Sequence, residues 1–311
     1  MIGEVSLASK EMDQFRLNVN MLVSPDAQGG HLETRGLSST GEVVDAPLHR
    51  HHVALSTYRI DVGLQYLLDD RWALQANIPY AVRNQEASIE WIEPVSSEDK
   101  QAILRSRDIH HRNETYTGLT DLDVFLGYKV SGFFRAGDAL FARLGTTVPT
   151  GKTEENPWEL GDAGIKHLHI QFGTGTFNPI ANLQYNLPLY RGGTITASAR
   201  GVFPFYENSK TYQGSVELGY TVGFTYRLFD WFSFSGNYLG FYQSSASWAG
   251  ERDINTGMRY SMAALGISLV ALNDISVSAN VMFPLTQETL YDESDAIEFG
   301  NLVSLTTSYS F

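Results

Sequence analysis

The chain has 311 residues, of which 43% are hydrophobic and 18% are charged, and its formal net charge at pH 7 is -13. This composition is typical of a folded protein and argues against disorder, while the negative charge argues against nucleic-acid binding, which requires a basic surface. Cysteine is absent, which excludes a disulfide framework and any metal site built on thiolates.

The longest apolar run, from Met262 to Leu272, falls far short of the ~20 residues that a membrane-spanning helix needs. The dominant pattern is instead an alternation with a period of two. Between Thr57 and Tyr66, even-numbered residues are apolar or aromatic, and odd-numbered residues are small, polar or charged. A strand places two such sets on opposite faces, whereas a helix would mix them. The pattern predicts twelve strands, at approximately 14–23, 53–67, 72–85, 117–131, 139–150, 176–189, 194–206, 212–228, 231–245, 257–272, 275–285 and 299–311.

The connections between these strands alternate between short and long. Short ones lie at 68–71, 133–138, 191–193, 229–230 and 273–274, and long polar ones at 24–52, 86–116, 151–175, 246–256 and 286–297, with a shorter one near 207–211. This plan is typical of bacterial outer-membrane barrels. We therefore predict an all-β fold: a single transmembrane antiparallel β-barrel at 14–311, with short periplasmic turns, long extracellular loops and a periplasmic N-terminal segment at 1–13.

A soluble β-sandwich or lipocalin-like barrel is the alternative fold. The membrane barrel is favoured because aromatic residues such as Tyr58, Tyr66, Trp72 and Tyr80 lie near the ends of the apolar faces, as in interfacial girdles. The opposite faces carry small polar residues and charges, which suits a confined wet lumen. We expect a monomer in the bacterial outer membrane, in contact with lipid, lipopolysaccharide and the barrel-assembly machinery.

The sequence ends in NLVSLTTSYSF, in which apolar and polar residues alternate up to Phe311. We interpret this stretch as the last strand, with Tyr309 and Phe311 forming the aromatic signal that the insertion machinery recognises. Because such barrels are exported, we expect residue 1 to follow a cleaved signal peptide.

The predicted lumen face is rich in charge. Its candidate selectivity residues are Arg59, Asp61, Arg83, Asp121, Asp123, Lys129, Arg143, Arg200, Glu217 and Arg227. A basic track would attract anionic or carboxylated solutes, because rings of charge set pore selectivity. The alternative is that the charges pair to stabilise a wet interior. We expect pairing for the majority, with one or two arginines selecting solutes at a constriction.

Six of the eight histidines lie in or beside the predicted outer loops, namely His31, His49, His51, His52, His110 and His111. Imidazole clusters bind Zn, Cu or Ni, so His49, His51, His52, His110 and His111 are candidate metal ligands; surface histidines are the alternative. His167 and His169 share one face of the loop at 151–175, which can fold into the mouth as a constriction. The acidic stretch at 286–298 is either a solvated face or a Ca²⁺ site. We expect no other cofactor.

An outer-membrane hydrolase is the competing functional class. The sequence has no Gly-x-Ser-x-Gly motif and no His-x-Ser pair, so nothing points to an activated serine. We predict that the chain is not an enzyme.

Three stretches, 118–130, 144–152 and 173–190, carry a Gly-Leu-x-Asp strand, a strand ending in Pro-Thr-Gly, and a loop ending in Gly-Thr-Gly. In this order they resemble the outer-membrane proteins named for the meta-cleavage pathway of phenol degradation. The resemblance implies an uptake channel for aromatic or other hydrophobic compounds and transfers no functional residue. We predict a porin-like channel for passive uptake of a small aromatic, hydrophobic or carboxylated solute. The alternative is a non-transport barrel that anchors or sheathes a partner protein in a cell-surface assembly.

Overall fold

The computed structural model describes residues 14–272, 274–292 and 297–311. Within these ranges the strands are β1 Phe15–Leu37, β2 Val43–Leu67, β3 Trp72–Trp91, β4 Glu114–Leu119, β5 Leu122–Ser131, β6 Ala139–Val148, β7 Pro179–Pro188, β8 Gly193–Val202, β9 Tyr212–Gln213, β10 Glu217–Phe229, β11 Phe232–Gln243, β12 Ala246–Trp248, β13 Glu251–Asp253, β14 Met258–Leu272, β15 Ile275–Thr289, β16 Ile297–Phe299 and β17 Leu302–Ser310. The α-helices there are α1 Ser97–His110 and α2 Pro157–Asp162, with 3₁₀ turns at Tyr190–Gly192 and Ile254–Thr256. The predicted N-terminal segment at 1–13 lies outside the described residues.

Twelve strand positions close into one antiparallel barrel. The order around it is β1, β2, β3, β5, β6, β7, β8, β10, β11, β14, β15 and β17, with β4 continuing beside β3 and β16 beside β1. Backbone hydrogen bonds of 3.0 and 2.9 Å between Phe15 and Phe311 complete the closure. Strands β9, β12 and β13 form a small separate sheet. The predicted fold class and the number of barrel strands are confirmed.

The alternation in sequence becomes a difference between the outside and the inside of the barrel. On β17, Val303, Leu305 and Tyr309 are exposed, whereas Ser304 is 1% and Thr306 5% exposed. The same division recurs around the barrel, so the exterior presents a belt of apolar and aromatic side chains and the interior is polar. Such a belt suits contact with lipid. No helix in the described ranges is long and apolar enough to span a membrane.

The predicted long loop at 24–52 is wrong. Strands β1 and β2 continue as a paired hairpin, joined only by residues 38–42, with register shifts between Ser24 and Ala27 and between Glu33 and Arg35. Strand β3 also continues to Trp91 beside β2. These extensions form what we call the outer wall, residues 27–37, 43–55 and 84–91. On the N-terminal side of Tyr58, the outward face of β2 becomes mostly polar. The outer wall therefore extends beyond the apolar belt of the barrel.

The predicted loop at 86–116 contains helix α1, which the strand pattern did not reveal. The Ser96 hydroxyl caps the helix by accepting a hydrogen bond of 3.1 Å from the Asp99 backbone N–H, which satisfies an otherwise unpaired donor of the first turn. The helix packs on β1, where the Arg105 Nε–H donates to the Leu37 carbonyl at 2.8 Å. A side chain at Gly36 would lie 3.0 Å from the Ala102 Cβ, so glycine permits this close approach.

Candidate functional site

Two ion pairs dominate the lumen. The Arg59 guanidinium binds Asp61 on the same strand through contacts of 2.7 and 2.9 Å. Arg200 on β8 reaches Asp123 on β5 at 2.9 Å. Pairing compensates for the loss of water around charges in a confined interior. These four predicted lumen residues therefore stabilise the interior and partly neutralise one another.

The other predicted lumen residues have different surroundings. Arg143 donates to the Gln184 side-chain oxygen at 3.2 Å, and the Lys129 ammonium lies 5.9 Å from the centre of the Phe141 ring. Glu217 and Arg227 lie near opposite ends of β10. The remaining two, Asp121 and Arg83, hold a loop inside the mouth of the barrel, as the following contacts show.

Residues 151–178, called the mouth segment below, cross the outer end of the lumen. Asp121 anchors the segment at two places. Its carboxylate accepts hydrogen bonds from the Gly151 N–H at 3.0 Å, and from the N–H and hydroxyl of Thr174 at 2.7 and 2.8 Å. Thr147 on β6 adds a bond from its hydroxyl to the Thr176 carbonyl at 3.0 Å.

Phe172 is a buried aromatic side chain of the mouth segment. Its ring is 6% exposed and packs in one buried cluster with Ala81, Tyr116 and Leu168. The Arg83 guanidinium lies 4.8 Å from the ring centre and donates to the Gln171 carbonyl at 3.0 Å. A cation over an aromatic face in a desolvated place is stabilising by about 2 kcal/mol. Phe172 and Arg83 therefore fasten the mouth segment to the β3 side of the barrel wall.

The same segment is also fastened at a second place, next to β8. In the loop between β8 and β9, the Lys210 ammonium donates to the Thr153 carbonyl at 2.9 Å and pairs with Glu155 at 3.0 Å. The Asn208 amide donates to the Thr174 carbonyl at 2.9 Å. The mouth segment is therefore held beside β3 and beside β8, which lie four positions apart among the twelve strands of the barrel. This agrees with the expectation that the loop folds into the mouth.

Seven of the eight histidines gather where the mouth segment meets the outer wall and the end of α1. This histidine cluster consists of His31, His49, His51, His110, His111, His167 and His169. Neighbouring rings lie close together, with centroids 4.2 Å apart for His110 and His167 and 5.1 Å apart for His31 and His51. Three separate parts of the chain contribute: the outer wall, the end of α1 and the mouth segment.

Strand parity and one backbone contact build the cluster. On β2 the odd-numbered residues face inward, so His49 and His51 lie on the same side as Arg59. Their exposed fractions are 0% and 1%. The mouth segment joins them because the His167 N–H donates to the Ile109 carbonyl at the end of α1, at 3.1 Å. His169 is solvent-exposed and lies at the open side of the cluster.

Burial and mutual proximity lower the pKa of several imidazoles of the cluster and so favour their neutral form. Desolvation, together with neighbouring histidines, lowers the pKa of His51 and of His110 to about 3 and that of His111 to about 2. Desolvation also lowers the pKa of His167. Neutral imidazole is the form that binds metals. The cluster therefore presents ligand-competent nitrogen atoms at neutral pH.

The structure separates the five candidate ligands predicted from the sequence. His51, His110 and His111 lie in the cluster, and His49 is hydrogen-bonded to His51. His52 lies on the opposite face of β2, where its Nε2 is 2.8 Å from the Glu90 carboxylate and both side chains are exposed. The sequence reasoning left His31, His167 and His169 out of the ligand set, although the His-x-His spacing at 167–169 matches that at 49–51.

The acidic stretch at 286–298 is described only in part. Glu288 pairs with Arg259 at 2.5 Å, so its carboxylate is engaged by a cation. Glu293 and Asp295 lie outside the described residues. The predicted Ca²⁺ site in this stretch stays a prediction.

The sequence matches no protein-family model, and no curated protein matches it. The structure is similar to that of an outer-membrane channel from Pseudomonas putida F1, with a TM-score of 0.59 and 12% identity over 99% of this chain and 100% of the channel. A FadL homologue from Pseudomonas aeruginosa aligns with a TM-score of 0.45 and 10% identity, over 96% of this chain and 91% of that one. At such identities the first similarity shows the fold, and the second is too weak to add to it. The resemblance to the phenol meta-pathway family stays a prediction.

Proposed function

We propose that this protein is an outer-membrane channel for passive passage of a small solute. The observation that carries the proposal is the closed barrel with an apolar exterior and a charged, ion-paired interior. A barrel of twelve strands lies between the small barrels that side chains fill and the porins with wide aqueous channels. A narrow passage with a constriction at Arg83 and Phe172 fits this size. A bilayer location, a monomeric state and contacts with lipopolysaccharide and the assembly machinery are part of the same proposal.

The preferred solute in this proposal is a small carboxylate. The ten predicted lumen residues comprise six cations and four acids. Two of the acids, Asp61 and Asp123, are paired with arginines, and Asp121 accepts hydrogen bonds from the mouth segment. Lys129 and Arg143 contact an aromatic ring and an amide oxygen. An excess of positive charge along a narrow polar passage favours anions.

Conductance in planar lipid bilayers tests the proposal. The purified protein should give discrete current steps, and the reversal potential in a salt gradient should report a preference for anions. Carboxylates such as benzoate or acetate should reduce the chloride current by competing for the passage. A barrel that inserts but passes neither ions nor carboxylates would contradict the proposal.

The Asp123 to asparagine substitution should sharpen the anion preference. Removing the carboxylate leaves the Arg200 guanidinium, 2.9 Å away, without its charged partner inside the lumen, where screening by salt is weak. We expect the anion-to-cation permeability ratio to rise roughly twofold or more, measured from the reversal potential. Asp70→Asn, in the exposed turn before β3, is the matched control and should leave the ratio unchanged. An unchanged ratio in Asp123→Asn would exclude this pair from the permeation path.

A barrel that anchors or sheathes a partner protein is the second candidate. A lumen plugged by the loop at 151–175 would favour this function, and the mouth segment lies across the outer end of the lumen. The bilayer experiment separates the two. A protein that conducts ions with the mouth segment intact is a channel. A protein that stays silent even when the constriction is removed, and that copurifies with a defined partner, is a sheath. The prediction that the chain is not an enzyme stays a prediction.

A further inference from the structure

We propose that the histidine cluster binds two divalent transition-metal ions, one between His31, His51 and His111 and the other between His110, His167 and His169. In each triad, one ring nitrogen from each of the three residues lies within 4.8 Å of the other two. All six ligands are imidazoles, which suit Zn²⁺, Cu²⁺ and Ni²⁺ rather than Ca²⁺ or Mg²⁺, whose ligands are oxygens. The site does not depend on whether the barrel transports a solute.

The hydrogen bonds of His49 and His51 leave one nitrogen ready for a metal. The His49 Nδ1 lies 2.8 Å from the Pro47 carbonyl, which can only accept, so Nδ1 carries the proton of the neutral ring. The His49 Nε2 is then an acceptor, and the His51 Nε2–H, 3.1 Å away, donates to it. The His51 Nδ1 is left with a lone pair, and it is buried without a hydrogen-bond partner. Metal coordination would satisfy this atom, which is otherwise costly to bury.

His167 shows the same arrangement in the second triad. Its Nδ1 donates to the Ile165 carbonyl at 2.7 Å, so Nε2 carries the lone pair of the neutral ring. That Nε2 is also buried without a hydrogen-bond partner. Metal-binding histidines in proteins almost always donate their second ring N–H to a carbonyl or carboxylate in this way. Each triad therefore contains one buried imidazole lone pair, already oriented by a hydrogen bond from the other nitrogen of the same ring.

The spacing between donors fits a small metal ion. Two nitrogen ligands on a tetrahedral Zn²⁺, at the usual ~2.0–2.1 Å from the metal, lie roughly 3.3 Å apart. The Nε2 atoms of His31 and His111 are 3.2 Å apart. A direct N–H···N hydrogen bond would give the same separation. An empty hydrogen-bonded histidine network is therefore the competing account, and the experiment below distinguishes them.

The arrangement also gives a metal ion access to the cluster and lets the bound ion connect separate parts of the chain. His169 is exposed and gives an ion a route from the outer solvent into the cluster. Each ion would bridge parts of the chain that are far apart in sequence: the outer wall and the end of α1 in the first triad, and the end of α1 and the mouth segment in the second. Metal binding would thus fasten the cover of the lumen to the wall of the barrel.

Zinc stoichiometry in the purified, full-length protein tests the assignment. After chelator treatment and dialysis against micromolar free Zn²⁺, wild-type protein should hold two ions per chain by mass spectrometry. His51→Ala and His167→Ala should each hold one, and the double variant none. His52→Ala removes an imidazole from the same strand but the opposite face, so it should retain two. Co²⁺ in place of Zn²⁺ should report nitrogen ligands through its visible absorption.

The opposing results are equally specific. If wild-type protein binds no Zn²⁺, or if the double variant binds as much Zn²⁺ as wild type, the metal sites are ruled out. The histidine cluster would then be a hydrogen-bonded network without metal. A wild-type protein that holds only one ion, which is lost in His51→Ala and equally in His167→Ala, would overturn the two-site assignment. His51 and His167 are buried, so their alanine variants could fail to fold. Glutamine variants at both positions are therefore tested as well. The heat-dependent migration of each variant in detergent gels reports whether its barrel is folded.

His49 supplies an independent test of the hydrogen-bond relay. As a positioning residue it contacts no metal in this assignment, but it fixes which nitrogen of His51 carries the proton. His49→Ala should therefore weaken the first site by about 10- to 100-fold, as loss of a hydrogen-bond partner that orients a metal ligand does, while two ions still bind at saturating Zn²⁺. A loss of one ion at saturation would make His49 a ligand and overturn the relay. Unchanged affinity would also contradict it.

Discussion

Replacing Phe172 and Arg83 together by alanine is expected to raise the single-channel conductance several-fold. The Phe172 ring is buried inside the mouth with the Arg83 guanidinium 4.8 Å from its centre, and in the proposed channel both groups border the path of a permeating ion. The current through a narrow pore depends on the width and charge of its tightest place. Recordings from the purified variant in planar bilayers, compared with wild type at the same salt concentration, measure the change.

The matched control is Phe205→Ala, because the Phe205 ring is 67% exposed in the loop after β8. This substitution removes an aromatic ring of the same size from the outer end without widening the constriction, and it should leave the conductance unchanged. An unaltered current in the Phe172 and Arg83 double variant would show that the limiting constriction lies elsewhere in the barrel.

Gly145→Ala is expected to destabilise the barrel severely. Gly145 on β6 faces the lumen directly opposite Phe125 on β5. A Cβ atom at this position would lie 1.9 Å from the Val124 carbonyl oxygen and 2.8 Å from the Phe125 ring. The first obstacle is backbone of the neighbouring strand, so relief requires β5 and β6 to separate. Such overpacking costs about 2 kcal/mol or more, measured as the free energy of unfolding in urea after refolding into detergent micelles.

Gly127→Ala is the control on the same strand pair. Gly127 also faces inward, but its added Cβ would meet the Arg143 Cγ at 3.5 Å, an ordinary contact. We expect this variant to be as stable as wild type or slightly more stable, because alanine restricts the unfolded chain. Equal stability of the two alanine variants would mean that β6 shifts freely against β5, contrary to the packing described.

The barrel could be predicted from the sequence because each strand by itself carries the alternation of apolar and polar residues. Each strand has to present apolar side chains to lipid and polar ones to the lumen, and this requirement writes a period of two into the residues. The outer wall was not predicted because β2, on the N-terminal side of Tyr58, no longer alternates between apolar outward residues and polar inward ones. Its outward residues, such as Ser56 and His52, are polar, so a paired strand there has the composition of a loop.

The histidine cluster could be anticipated only in part. Parity separates His51 from His52 once β2 is known to continue as a strand, since adjacent residues point to opposite faces. The contribution of His167 depends on hydrogen bonds from the mouth segment to Ile109 and from Arg112 to the mouth segment, which join it to the end of α1, 58 and 55 residues earlier in the chain. No periodicity encodes such a tertiary contact, so the sequence alone could not bring the two loops together.

The order of residues along the mouth segment limits how the proposed channel can widen. Phe172 follows His169 by three residues, a length of chain that spans roughly 11 Å when fully extended. Phe172 is therefore tethered by a short stretch of chain to His169, which belongs to the histidine cluster. While His169 stays in place, the ring can swing only within that radius. The Phe172 ring can therefore leave the proposed passage completely only after the histidine cluster has released His169.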